Sequence, residues 1–142
     1  MSCKMNPEEA NTFLRQAFEG QSVRTEIVEM VEGRAVVRLR ADKTNLRPGG
    51  YISGPTQMSL VDTASYFAVM TVTGLEPMAV TSSLNMSFLR PCIGDVVLAD
   101  ARIMKIGQTL AVMDVDVRVE GATKPSSHAV VTYALPRKET AA

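Results

Sequence analysis

Between Arg47 and Glu76 the chain carries one charged side chain, Asp62. It lies in a helix-length segment, 55–73, where Met58, Leu60, Val61, Ala64, Phe67, Ala68, Val69, Met70 and Val72 fall on nearly every face. A surface helix keeps its apolar residues to one stripe, whereas a helix apolar all round is buried on most sides. Pro55 suits its first turn, and Gly74 and Pro77 close it. Such a helix needs a wide apolar surface around it, and a curved antiparallel sheet would supply one.

The other segments provide that sheet. Residues 6–19 read as an amphipathic helix, capped by Asn6 with Pro7 at the first position and Glu9 at the capping-box site. Ala10, Phe13, Leu14, Ala17 and Phe18 share one face, and Gly20 ends the helix. Segments 22–31 and 34–41 read as a hairpin turning at Glu32-Gly33. The apolar phase slips between Ile27 and Val28, which predicts a bulge. Residues 42–54, ending in RPGGYISGP, argue against regular structure. Four strands follow, at 79–90, 96–106, 109–120 and 127–135, with turns at Pro91/Gly94-Asp95 and Gly107-Gln108. Ser126–Ser127 and the tail 137–142 look loose, and the nine methionines read mostly as core fillers. The order is α-β-β-α-β-β-β-β: an α+β fold, a curved antiparallel sheet of about six strands wrapped round a central helix. A chain of 142 residues makes this one domain, 1–142. Pairing through a sheet edge would protect the exposed edge strands.

Composition narrows the function classes. Fifteen basic residues balance fifteen acidic ones, so the basic excess of a nucleic-acid binder is absent. Zero net charge also suits self-association. No apolar run approaches the roughly 20 residues of a membrane span, and MSCKMNPEEA lacks the apolar core of a secretory signal. Cys3 and Cys92 form no Cys-x-x-Cys pair, which gives no support to a metal or disulfide framework. The expectation is a cytoplasmic protein with no nucleic-acid or membrane partner.

Asp62 has two readings. It lies on a solvent-facing stripe with Ser59 and Ser65, or it is a carboxylate at a cleft mouth acting as base or nucleophile. Buried without partners it would be costly, and Tyr66, four residues on, is within helical reach. The second feature is the glycine-rich approach, Gly49-Gly50-Tyr51-Ile52-Ser53-Gly54-Pro55. It is either a tight connection or a helix N-terminus that polarises a carbonyl. Ser53 and Asp62 lie about 13 Å apart along a helix. One carbonyl cannot meet both in one subunit, but two subunits could each supply one.

The stretch GGYISGPTQMSLVDTASYFAVM resembles the hot-dog fold thioesterases of the PaaI-like group, as does VTSSLNMSFLRPCIGD. The resemblance runs from about residue 21 to 135. It implies a hot-dog fold, a homodimer or homotetramer, no cofactor, and acyl-CoA sites at a dimer interface. It places the Gly54 N–H on the thioester carbonyl and the partner subunit's Asp62 as base or nucleophile. Thr81 falls where relatives carry a Ser that positions water or the acid. Asn45 stands for an upstream polar residue, across a loop of different length. The family's usual His-Gly-Gly is altered: Ser53 replaces the His, and Pro55, which has no N–H, replaces the second Gly.

The resemblance thus implies hydrolysis of an acyl-CoA thioester. The alternative is a non-catalytic hot-dog protein binding an acyl thioester or a small aromatic ligand, which the Ser53 and Pro55 changes favour. A dehydratase is disfavoured because the single histidine, His128, lies on the last strand and reads as solvent-facing. Arg90, Arg102 and Lys105 are candidates for the phosphates of coenzyme A, with Arg47 a weaker one; each also reads as ordinary surface charge. Met58 and Met70 read as core or as lining of an acyl tunnel.

Overall fold

Around the long helix the chain folds its sheet as expected, with one strand out of sequential place. The computed structural model describes residues 2–17 and 24–137. Its elements are α1 (Pro7–Ala17), β1 (Thr25–Val31), β2 (Arg34–Arg40), α2 (Gly54–Thr73), β3 (Val80–Phe88), β4 (Val96–Ile106), β5 (Leu110–Val119) and β6 (Ser127–Ala134). Phe18, Gly20 and the expected starts of the first hairpin lie outside the described residues.

The six strands form one antiparallel sheet in the order β1-β2-β4-β5-β6-β3. Its inner face is a row of small residues: Ala35, Val37, Val97, Ala99, Ala101, Ala111, Val115, Val117, Ala129 and Val131, all fully buried. Their size lets the sheet close around α2, whose Phe67, Ala68, Val69 and Met70 are also fully buried. Period-two alternation puts Arg34, Asp100, Arg102, Asp114, Asp116 and His128 on the opposite face, where the arginines form ion pairs with the aspartates and His128 lies beside Asp114.

Several local expectations change. The segment 89–95 is a crossing rather than a hairpin turn, because β3 pairs with β6 and not with β4. Gly94 has φ +156° there, and a Cβ would come within 2.5 Å of Val119. Residues 42–54 are not structureless, since Lys43–Asn45 form a 3-10 turn and Leu46 bridges to Ile52. Ser126 and Ser127 are buried, not loose. Met58, Met78 and Met104 are exposed, while Met5, Met30, Met70 and Met113 are core. Ala17 is exposed at the end of α1.

The sheet's two edges differ. On β1 the expected bulge is present between Ile27 and Glu29. There the Asn11 carboxamide of α1 donates to the Ile27 carbonyl (2.9 Å) and accepts from the Ile27 N–H (2.8 Å). β3 has no such cover among the described residues, and every residue of it is at least partly exposed. No described helix is long and apolar enough to cross a membrane.

Candidate active site

The N-terminus of α2 is built by a chain of local hydrogen bonds. The Asn45 side chain accepts from the Asp42 N–H (2.9 Å), and the Asn45 carbonyl accepts from the Ser53 N–H (2.8 Å). Ser53 is the N-cap; its Oγ accepts from the Thr56 N–H (3.2 Å) and donates to Thr56 Oγ1 (2.8 Å). The Gln57 N–H goes to the Ser53 carbonyl, and Pro55 has none. Of the free N–H groups that a first turn presents, Gly54's is the one that meets no acceptor among the described residues. It sits where the helix dipole is positive. The Phe88 ring of β3 lies beside it, 3.3 Å from where a Cβ would stand.

Gln57, which sequence reasoning did not single out, locks this end in place. It is buried, donates to the Ile52 carbonyl (3.1 Å), and accepts from Ser127 Oγ (2.7 Å). A polar residue among apolar neighbours in α2 was the available signal.

Two turns along α2, Asp62 is half-buried. Its Oδ1 accepts from the Thr81 hydroxyl (2.6 Å) and from the Tyr133 phenol (2.7 Å). Burial pushes the Tyr133 phenol well above its ordinary range, against a smaller opposing effect of Thr81; the neighbouring Asp62 pushes it the same way. It therefore stays a donor. Of the expected solvent-facing stripe, Ser59 is exposed, but Ser65 is fully buried and donates to the Val61 carbonyl. Tyr66 reaches the Pro77 carbonyl (3.0 Å) rather than Asp62.

The expected residues thus gather in two groups. Asn45, Ser53, Gly54 and Pro55 meet at the helix terminus, while Asp62 and Thr81 meet further along. β3 spans both, with Thr81 at one end and Phe88 at the other. Asn45 and Pro55 also line a cleft of about 310 Å³ with Thr25, Leu39, Ser59 and Thr63.

Arg90 follows β3 at the Phe88 end, with its guanidinium donating to the Pro125 carbonyl. Arg102 is not brought to either group. Strand alternation turns it to the outer face, where it pairs with Asp114 (3.3 Å) and Asp116 (3.4 Å). Lys105, opposite Val112 past the β4 bulge, is exposed on that same face. Arg47 closes a turn through its backbone with Gly50 and Tyr51. His128 lies 3.4 Å from Asp114, on the outer face and away from Asp62. Met70 is core, whereas Met58 is exposed. No metal-holding cluster of His, Cys, Asp and Glu exists among the described residues.

Comparison with known proteins adds four findings. Residues 49–126 match the family profile described as the thioesterase superfamily. A Halobacterium salinarum protein with a provisional esterase name is 38% identical over 78 residues. That match covers 52% of this chain and 50% of the relative, so it spans about half that protein's length. Among solved structures, a Silicibacter protein with a provisional thioesterase name superimposes with a TM-score of 0.87 at 31% identity, covering 96% of this chain and 95% of that one. The Escherichia coli PaaI protein from the phenylacetic acid degradation operon gives a TM-score of 0.75 at 25% identity, covering 93% and 96%.

Proposed function

The chain belongs to the thioesterase superfamily, and from that premise we propose that it hydrolyses an acyl-CoA thioester to the free acid and coenzyme A at a site shared by two copies of the chain. The observation that carries this reading is the pair of complementary groups on α2: a Gly54 N–H that meets no acceptor among the described residues and a carboxylate at Asp62 held by two O–H donors.

The thioester carbonyl oxygen accepts from the Gly54 N–H of one subunit. Asp62 of the partner subunit takes a proton from water as the water oxygen attacks the carbonyl carbon. The C=O electron pair moves onto the oxygen at the helix terminus, where the N–H and the dipole stabilise it. Collapse re-forms the C=O and breaks the C–S bond. The thiolate leaves and is protonated by Asp62 or by solvent; a thiol pKa of about 8.5 means no strong acid is needed. In the covalent variant the Asp62 carboxylate attacks the carbonyl carbon itself, the C–S bond breaks as the thiolate leaves, and water then hydrolyses the mixed anhydride to release the acid and regenerate the carboxylate.

The open β3 edge supports the shared site. Antiparallel pairing of two β3 strands centred near Asn85, with like faces opposed, sets Phe88 of one chain beside the Thr81–Ser83 bulge of the other. That brings Gly54 of one chain toward Asp62 of its mate. Arg90, at the Phe88 end, is the cation best placed for phosphates.

Thiol release from short-chain, long-chain and aromatic acyl-CoAs tests the reading. Asp62→Asn is expected to cut turnover by about 10²-fold or more while leaving ligand binding near wild type. A folded wild-type protein that binds these thioesters but turns none over would move the assignment to the non-catalytic binder, with Ser53 and Pro55 as the reason.

A further inference from the structure

Tyr133 does more than fill space. Its ring lies in the core, 2% exposed, with its centroid 6.2 Å from that of Tyr66. A phenylalanine would fill the same volume. Burying a hydroxyl costs free energy unless it finds a partner, and this one finds Asp62 Oδ1 at 2.7 Å and the Asp62 backbone carbonyl at 3.1 Å. One phenolic proton faces two acceptors, and the charged carboxylate is the stronger.

The second donor comes from elsewhere in the sheet. Thr81 lies on the edge strand β3 and Tyr133 on its neighbour β6, and the two residues stand opposite each other in register. Both hydroxyls meet the same oxygen, Oδ1, rather than one each. Two donors fixed to two strands oppose rotation of the carboxylate. They also occupy one oxygen and leave the other without a partner among the described residues.

We infer that Tyr133 is a positioning residue: together with Thr81 it fixes Oδ1 of Asp62, so that Oδ2 alone is presented to the reacting water or thioester. This rests on the thioesterase reading above. The groups facing the carboxylate are the Thr81 hydroxyl from β3 and the Tyr133 phenol from β6, while Tyr66 of α2 packs against the Tyr133 ring and donates its own hydroxyl to the Pro77 carbonyl. No cation pairs with Asp62 among the described residues, so the two hydroxyls are its stabilising partners.

The test measures kcat and KM with the best acyl-CoA of the panel for wild type, Tyr133→Phe, Thr81→Val, Thr81→Ser and Asp62→Asn. Tyr133→Phe is expected to lower kcat by about tenfold or more with KM within about twofold, the pattern of a lost transition-state interaction. Thr81→Val should fall similarly, and Thr81→Ser, which keeps the hydroxyl, should recover most of the loss. A merely structural Tyr133 would lower Tm and leave kcat of the folded protein unchanged. Should Tyr133→Phe fail to fold, 3-fluorotyrosine placed at 133 keeps the ring and strengthens the donor; a severalfold change in kcat is then expected, and none would overturn the assignment. Asp62-dependent turnover with wild-type kcat in Tyr133→Phe overturns the positioning role alone. Absence of any turnover in folded wild-type protein overturns the hydrolase reading and this role with it.

Discussion

At the β1 edge the exposed backbone is already engaged, because Asn11 donates to and accepts from Ile27 as a neighbouring strand would. At the β3 edge Thr81 and Phe88 turn inward to Asp62 and Gly54, while the backbone along the strand's free side meets no such partner among the described residues. Unpaired edges invite pairing with another chain, and proteins block the edges they do not use. A bulge and a side-chain plug at β1 are such a block. The edge left open is the one whose residues touch both groups of the proposed site. This contrast argues that the open edge serves the site.

The largest effect should come from closing that edge. Ser83→Lys with Asn85→Lys places like charges against each other across any β3–β3 seam. The expected result is a fall in mass by light scattering from an assembly to the 15.4 kDa chain, with kcat/KM down by about 10²-fold or more as the site loses half its groups. Val28→Lys at the β1 bulge should change neither. A monomeric lysine variant with full activity would show that one chain is sufficient and would break the comparison.

Next comes removal of the plug. Asn11→Ala leaves the N–H and C=O of buried Ile27 without partners, at about 2–4 kcal/mol in total and a Tm lower by about 5–10 °C. Turnover by the folded protein should persist. A Tm within error of wild type would mean that water replaces the carboxamide freely and that the β1 edge is not protected by it.

How much of this was legible in the sequence follows from the range of each signal. The bulge at Ile27–Val28 and the limits of α2 are local and could be read from phase and caps. The pairing of β3 with β6 could not, because tight turn residues describe only neighbours in the chain. Asp62 stood out as the lone charge among apolar residues. Tyr133 did not, since an aromatic on an alternating strand reads as core, and only the fold carries its hydroxyl across 71 positions to Asp62. Asn11 was hidden likewise, as a polar residue beside the apolar face of an amphipathic helix.

A smaller effect is expected at the other end of β3. Gly54→Ala keeps the N–H, but its Cβ would meet Phe88 at 3.3 Å, so the ring must give by a few tenths of an ångström. Stability should stay within about 1 kcal/mol, as for a change whose neighbour can shift. kcat/KM should fall severalfold, because the ring stands beside the N–H proposed to receive the carbonyl. An unchanged kcat/KM would show that Phe88 does not shape that end of the site.

The smallest expected effect separates the two edges by pH. Near β1, the Thr44 hydroxyl and N–H, with a lesser contribution from Arg24, hold the Asp42 carboxyl below its ordinary range. A depressed carboxyl contributes stability that is present above its unfolded value, about 3.9, and lost as pH falls through the folded one. Near β3, burial raises Tyr133 and Tyr66, with Glu76 adding to the second. A raised phenol contributes stability that is full below its unfolded value, about 10, and lost as pH climbs through the folded one. Amide protection, after division by the intrinsic exchange rate at each pH, should therefore fall first around residues 42–45 in acid and along β6 and β3 in alkali. Asp42→Asn should remove the first response and Tyr133→Phe should weaken the second. If alkali lowers protection equally at both edges in wild type and in Tyr133→Phe, the buried phenols are not what ties the β3 side to pH, and the two edges then differ only in the plug that covers β1.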